Sequence, residues 1–207
     1  MKKPMQILDL MLDLESLGNG GSPVIIQIAA IPFNIETGEV FSDEFDRLIN
    51  PISCVKLGLK VNGQTVEWWL NQDKHVIEKV FVKAIQEGLE IKDVLLEFNK
   101  FINDLKVKHK VKDIRVYSNG ILADSRWLND AYALAGLTPA WKYHEDSDVR
   151  TLVDMGKRIL NFDPKRDMPF DGDKHVARQD VLHQIKYCSK IYEELQKLTK
   201  TKDKKKT

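Results

Sequence analysis

Asp13 and Glu15 stand two residues apart at the end of an apolar run, so in extended backbone their carboxylates fall on one face. Two acids sharing a buried face repel, and a hard divalent cation such as Mg²⁺ or Mn²⁺ is the natural counter-ion. Taken alone the doublet also fits two solvated loop acids. Asp124 follows the turn Ser118-Asn119-Gly120 and opens a helical pattern, where an acid gains from the helix dipole. If the strand before it lies beside the first strand, the same acid faces the mouth where Asp13 sits. His175 and Asp180 bracket a segment in which they lie five residues apart. On one continuous helix that spacing separates them by roughly 140°. His175 is therefore expected in the preceding glycine-bearing loop, and Asp180 in the first turns of the last helix. Each has an ordinary alternative, a surface histidine and a capping acid.

Together, four carboxylates and one histidine at a strand end, a strand–helix junction and a helix start suit two-metal hydrolysis of a phosphodiester. Two ions roughly 4 Å apart need several carboxylates, and a base must take a proton from the attacking water. A histidine titrates in the right range. At these residues the chain resembles the DnaQ-like, or DEDDh, 3′→5′ exonuclease superfamily over about residues 6–198. The family's Asp-x-Glu-Thr-x-Gly stands here as Asp13-Leu14-Glu15-Ser16-Leu17-Gly18, with a serine that keeps the hydroxyl. Asn119-Gly120 followed by Asp124 matches the second motif, and His175-Val176-Ala177-Arg178-Gln179-Asp180 matches His-x-Ala-x-x-Asp in full, in the family's order. Thr65-Val66-Glu67-Trp68-Trp69 is similar to the branch holding phage-type exonuclease A and related bacterial exoribonucleases.

The resemblance implies a ribonuclease-H-like α/β fold, a five-stranded mixed sheet flanked by helices. It implies two Mg²⁺ or Mn²⁺ ions on Asp13, Glu15, Asp124 and Asp180, with His175 as general base. The substrate is then the 3′ end of single-stranded RNA or DNA, and the product a nucleoside 5′-monophosphate. The branch implies that Glu67 and Trp68 meet the terminal base, that Arg150 has a role, and that the chain forms a homodimer. The tryptophan pair fits a core position equally well. Backbone at Leu17 and Gly18 is expected to hold the terminal nucleotide, because a glycine permits close approach. Two other functions use the same residues: a non-catalytic nucleic-acid-binding module of this fold, and a metal-dependent nucleotidase or phosphatase.

Positioning these residues is the work of a strand-rich start and a helix-rich remainder. Residues 6–13, 23–33 and 39–49 read as a meander of three strands joined by short turns. Helical periodicity begins with Thr65 as N-cap, resumes over 73–84, and is strong over 93–105. A fourth strand over 114–117 leads to a helix from Asp124 to Ala135; a fifth strand is expected at 141–144, then a helix over 148–160. Residues 161–174 read as a loop. Val181, Ile185, Cys188, Tyr192 and Leu195 then form the core stripe of a last helix. Strands followed by alternating helices and strands indicate one α/β domain over residues 1–198 with a mixed sheet.

Composition narrows the setting. The 207 residues carry 32 Lys and Arg against 31 Asp and Glu. Six Lys and one Asp fall within 197–207, leaving 26 basic and 30 acidic residues before them. The body is thus acidic, which suits metal ligands. The lysine-rich end over 199–207 is expected to be a disordered tail that adds salt-sensitive attraction to phosphate. Cys54 and Cys188 are far apart and match no metal or redox spacing, so free thiols in a reducing, cytoplasmic setting are expected. No apolar run approaches the length of a membrane span.

Overall fold

The computed structural model describes residues 7–203, with side chains through Leu198. Strands β1 (Ile7–Ser16), β2 (Ile25–Phe33) and β3 (Phe45–Leu48) form the antiparallel meander. β4 (Asp113–Ser118) adds parallel to β1, and β5 (Asp146–Asp148) parallel to β4. The sheet order is β3-β2-β1-β4-β5, which puts the first strand at the centre.

The two faces of β1 have different tasks. Leu8, Leu10, Leu12 and Leu14 enter one apolar cluster with Ile26, Ile28, Trp69 and Phe98. Met11 enters a second cluster on the opposite face, with Ala29, Phe33 and the stripe Val181, Ile185, Cys188 and Ile191. Asp9, Asp13 and Glu15 share the period-two register of Met11 and so face the second cluster. Because helices cover both faces, the strand is apolar nearly throughout and its acids stand out.

Helix α1 (Pro51–Leu57) has no counterpart in the sequence reading, although its punctuation is complete. Asn50 caps it by accepting from the Ile52 amide, Pro51 opens it, and Gly58 closes it in the left-handed region at φ 109°. Helix α2 (Gly63–Leu70) is capped by Asn62, which accepts from the Thr65 amide at 3.1 Å; Thr65 lies inside the helix instead of capping it. α3 spans 74–87 with a π-helical stretch at Ile77–Val82, and α4 is Ile91–His109. α5 spans 121–135 and opens with a π turn, Ile121–Ser125, so it starts before Asp124. α6 is Val149–Leu160 behind an Asp148 cap. α7 (Pro164–Asp167) is a short helix inside the segment expected to be a loop. α8 is Ala177–Asp203.

Three further expectations are corrected. The strand over 39–49 shrinks to β3, with Val40 forming only a single bridge to Phe33. The fifth strand is Asp146–Asp148, not 141–144; Trp141 turns into the core and donates from Nε1 to Asp146 at 3.1 Å. The lysine-rich end continues α8 as far as Asp203, while residues 204–207 of the expected tail lie outside the described residues. Cys54 and Cys188 are free, buried, and in different clusters. No helix among the described residues is long and apolar enough to cross a membrane.

Candidate active site

Asp13 and Glu15 close β1, beside a register shift between Glu15 and Ser16 that ends regular pairing. Both are buried, 9% and 8% exposed. Asp180 comes from the first turn of α8 and is held by that helix start. One carboxylate oxygen from each of Asp13, Glu15 and Asp180 lies within 4.8 Å of the others. Asp124 reaches the group from the π turn after β4. The Ser118 and Ser125 hydroxyls meet at 3.0 Å across that turn, and the Ile121 amide donates to Asp148 at 3.1 Å, so the turn is pinned at both ends. A π turn shifts the side chains after it relative to an α-helix, and such turns recur at functional sites.

Electrostatics bind the four acids into one unit. Burial, then the charges of Asp124, Glu15 and Asp180, pushes Asp13 well above the usual carboxylate range. Glu15 rises for the same reasons, burial first, then Asp180 and Asp124. Burial lifts Asp124 to about 7 against the pull of the Arg150 guanidinium, and lifts Asp180 to about 6. Four carboxylates that ionise this reluctantly are waiting for positive charge. The donors are all oxygen, which suits hard divalent cations.

His175 sits in the loop before α8, as its spacing from Asp180 requires. Its backbone is left-handed at φ 65°, unusual for a residue other than glycine, and its amide donates to Asp180 at 2.9 Å. One acid thus both faces the site and fixes the turn that carries the histidine. The imidazole stands edge-on to the Trp68 ring at 4.8 Å between centroids. Burial and Lys174 pull its pKa below the usual value, which keeps it neutral near pH 7. Asp173, two residues before, accepts from Lys79 at 3.2 Å and also faces His75, tying the loop to α3.

The two tryptophans differ in burial. Trp69 is fully buried and donates from Nε1 to the Ser16 carbonyl at 2.9 Å, bracing the end of β1. Trp68 is 42% exposed beside His175, and Glu67 is exposed on the same helix. Leu17 and Gly18 follow directly after the β1 bulge. The Leu17 amide already donates to Val24 at 2.8 Å and its carbonyl accepts from Asn62. A Cβ on Gly18 would come within 2.9 Å of the Pro23 Cβ, so the glycine lets this loop fold on itself. Arg150 lies over Gly120, where an added Cβ would meet its Cζ at 3.2 Å.

Arg150, His175 and Asp180 line a cavity of about 1090 Å³ together with Asn119, Lys157, Lys174 and Gln184, among others. Its charged lining is mostly basic, with Arg150, Lys157, Lys165 and Lys174 against Asp154 and Asp180, which complements a phosphate chain. Gln184 is absent from the sequence reading. It lies four residues beyond Asp180 on α8, and that one-turn spacing was its only signal.

The five-stranded sheet and its flanking helices have the ribonuclease-H-like fold of DEDDh nucleases. The nuclease domain of 3′hExo, a DEDDh family member bound to rAMP, shares the fold with TM-score 0.62 at 15% identity, over 90% of this chain and 92% of that one. Cell-death related nuclease 4 does so with TM-score 0.65 at 13% identity, over 91% of this chain and 64% of that one. Residues 8–192 match the Rv2179c-like 3′-5′ exoribonuclease domain, and the chain belongs to that family of DnaQ-like exonucleases. An exodeoxyribonuclease of Enterobacteria phage T4 is 27% identical over 104 residues, 47% of this chain and 44% of its own length. The chain therefore spans less than half the length of that curated relative.

Proposed function

We propose that the protein is a divalent-metal-dependent 3′→5′ exonuclease that removes nucleoside 5′-monophosphates from single-stranded RNA or DNA. The observation that carries this is the meeting of Asp13, Glu15 and Asp180 oxygens within 4.8 Å of one another, with Asp124 coupled to them by charge. Asp13, Glu15, Asp124 and Asp180 would hold two Mg²⁺ or Mn²⁺ ions, whose chemistry is charge neutralisation at the scissile phosphate and at the departing 3′ oxygen.

The chain's own residues supply the rest. The basic lining, with Arg150, Lys157 and Lys174, draws the phosphate chain to the cavity. Trp68 offers an indole face to the terminal base, and Glu67 a hydrogen-bond acceptor beside it. The loop at Leu17 and Gly18, directly after the acids of β1, would hold the terminal nucleotide. His175, neutral at pH 7, takes a proton from the attacking water. The bond to the 3′ oxygen then breaks, and the terminal nucleotide leaves with the phosphate on its 5′ oxygen. The resemblance also supports a homodimer, which sedimentation velocity would measure. Buried free thiols suit a reducing compartment.

The direct test uses matched RNA and DNA oligomers labelled at the 5′ end, with Mg²⁺ or Mn²⁺. A ladder shortening from the 3′ end is expected, with mononucleotides as product. Turnover undiminished by EDTA would refute the metal assignment. Cleavage of free nucleotides in preference to oligomers would make the protein a nucleotidase.

A further inference from the structure

Gln184 is 4% exposed and lies on α8 one turn beyond Asp180, at the wall of the cavity that holds His175 and Asp180. Its side-chain amide donates from Nε2 to Oδ1 of Asp13 at 2.7 Å, across 171 residues of sequence. Its other polar atom, Oε1, is buried and has no hydrogen-bond partner. An orphaned buried acceptor costs about 1–3 kcal/mol, so its retention needs a reason. A methionine or leucine would fill the same space on this face of the helix without that cost.

The geometry points to Gln184 as a positioning residue for the cation site: it fixes the Asp13 carboxylate through Oδ1, leaving Oδ2 for a cation, and turns Oε1 to a hydrogen-bond donor of the cavity's occupant. This rests on the metal-dependent reading given above. Two features favour it over simple packing. The hydrogen bond runs to the most strongly charge-crowded acid of the cluster, where a neutral donor offsets repulsion without competing for the cation as Lys or Arg would. The same amide bridges β1 and α8, the two elements that bring Asp13 and Asp180 together, so it sets their relation as well as one rotamer. Groups that orient metal ligands typically change metal affinity or activity by about 10–100-fold when removed.

The test compares Gln184→Met and Gln184→Asn with the unaltered protein and with Asp13→Asn. Calorimetric titration with Mn²⁺ is the first readout, steady-state kinetics on a single-stranded oligonucleotide the second, and metal-free thermal melting the control for folding. Both Gln184 variants are expected to melt cooperatively, to bind Mn²⁺ about 10–100-fold more weakly, and to lose kcat at saturating Mn²⁺ with KM within about twofold. Gln184→Asn keeps a polar group but is one methylene too short to reach Asp13, and covers the case in which methionine does not fold. Wild-type Mn²⁺ affinity and kcat in a folded Gln184 variant, alongside loss of Mn²⁺ binding in Asp13→Asn, would overturn the role of Gln184 alone. Undiminished Mn²⁺ binding in Asp13→Asn would overturn the metal reading itself.

Discussion

His175 carries the clearest single-residue prediction, because its geometry separates it from the acids it adjoins. Replacing it with alanine should lower kcat by about 10²–10⁴-fold, the usual contribution of a general base, while Mn²⁺ binding by calorimetry stays near wild type. Loss of Mn²⁺ binding would make it a ligand instead. The pH profile has a sign. Burial lowers the His175 pKa, so the imidazole is already neutral at pH 7. kcat/KM at saturating Mn²⁺ should therefore rise from pH 5 and level off below pH 7, and the acidic limb should disappear in His175→Ala. Trp68→Ala should raise KM by the loss of a stacking face, about 1–3 kcal/mol, with a smaller change in kcat. The five polar residues of the candidate site were legible because they break otherwise apolar or regular patterns at element ends. Gln184 was not, since a glutamine on a long polar-faced helix carries no sign of what lies opposite. For the two tryptophans only the resemblance singled out Trp68: adjacent positions on a helix point about 100° apart, and packing decides which turns inward.

At the scale of elements, the site depends on α8 lying close to its neighbours. Gly156 on α6 faces Ile191 of α8, and a Cβ there would sit 3.0 Å from Ile191 Cδ1. Gly156→Ala should therefore cost about 1–3 kcal/mol by overpacking, measured as a lower urea midpoint with unchanged slope. Because α8 also carries Asp180 and Gln184, the variant should lose Mn²⁺ affinity out of proportion to its lost stability. The long amphipathic helix α4 and the apolar strands were readable from periodicity alone. β5 was not: Asp146-Ser147-Asp148 has no apolar alternation, since a three-residue edge strand is set by its neighbour β4 and not by its own side chains. The neighbouring Trp141 and Tyr143 look more strand-like and belong to a buried anchor and a turn. The π turn at Ile121–Ser125 was equally hidden, because one extra residue in a turn leaves no mark on a sequence pattern.

For the molecule as a whole, the carboxylates set how stability responds to pH. Asp9, also buried on β1, is lifted to about 6 by burial, alongside Asp180 at about 6 and Asp124 at about 7, against an ordinary 3.8. Acids raised in the folded state favour folding while protonated. That contribution is complete below pH 4 and is lost as pH rises through 6 to 7. The metal-free protein should therefore melt at falling temperature from pH 5 to pH 8, by about 2–4 °C for each kcal/mol lost. Saturating Mn²⁺ should flatten or reverse the trend by binding the ionised acids, and Asp9→Asn should remove part of the slope without touching Mn²⁺ affinity. Scanning fluorimetry across pH with EDTA or Mn²⁺ decides this.

The hydrogen bond from Gln184 to Asp13 spans 171 positions, so the first strand waits for the last helix. Protein chains emerge from the ribosome in order, and contacts this distant in sequence form late. A nascent chain that has not yet exposed α8 holds Asp13, Glu15 and Asp124 but lacks Asp180 and Gln184. The four acids therefore come together only after the chain between β1 and α8 has been made, and until then three of them share one end of the sheet without the fourth.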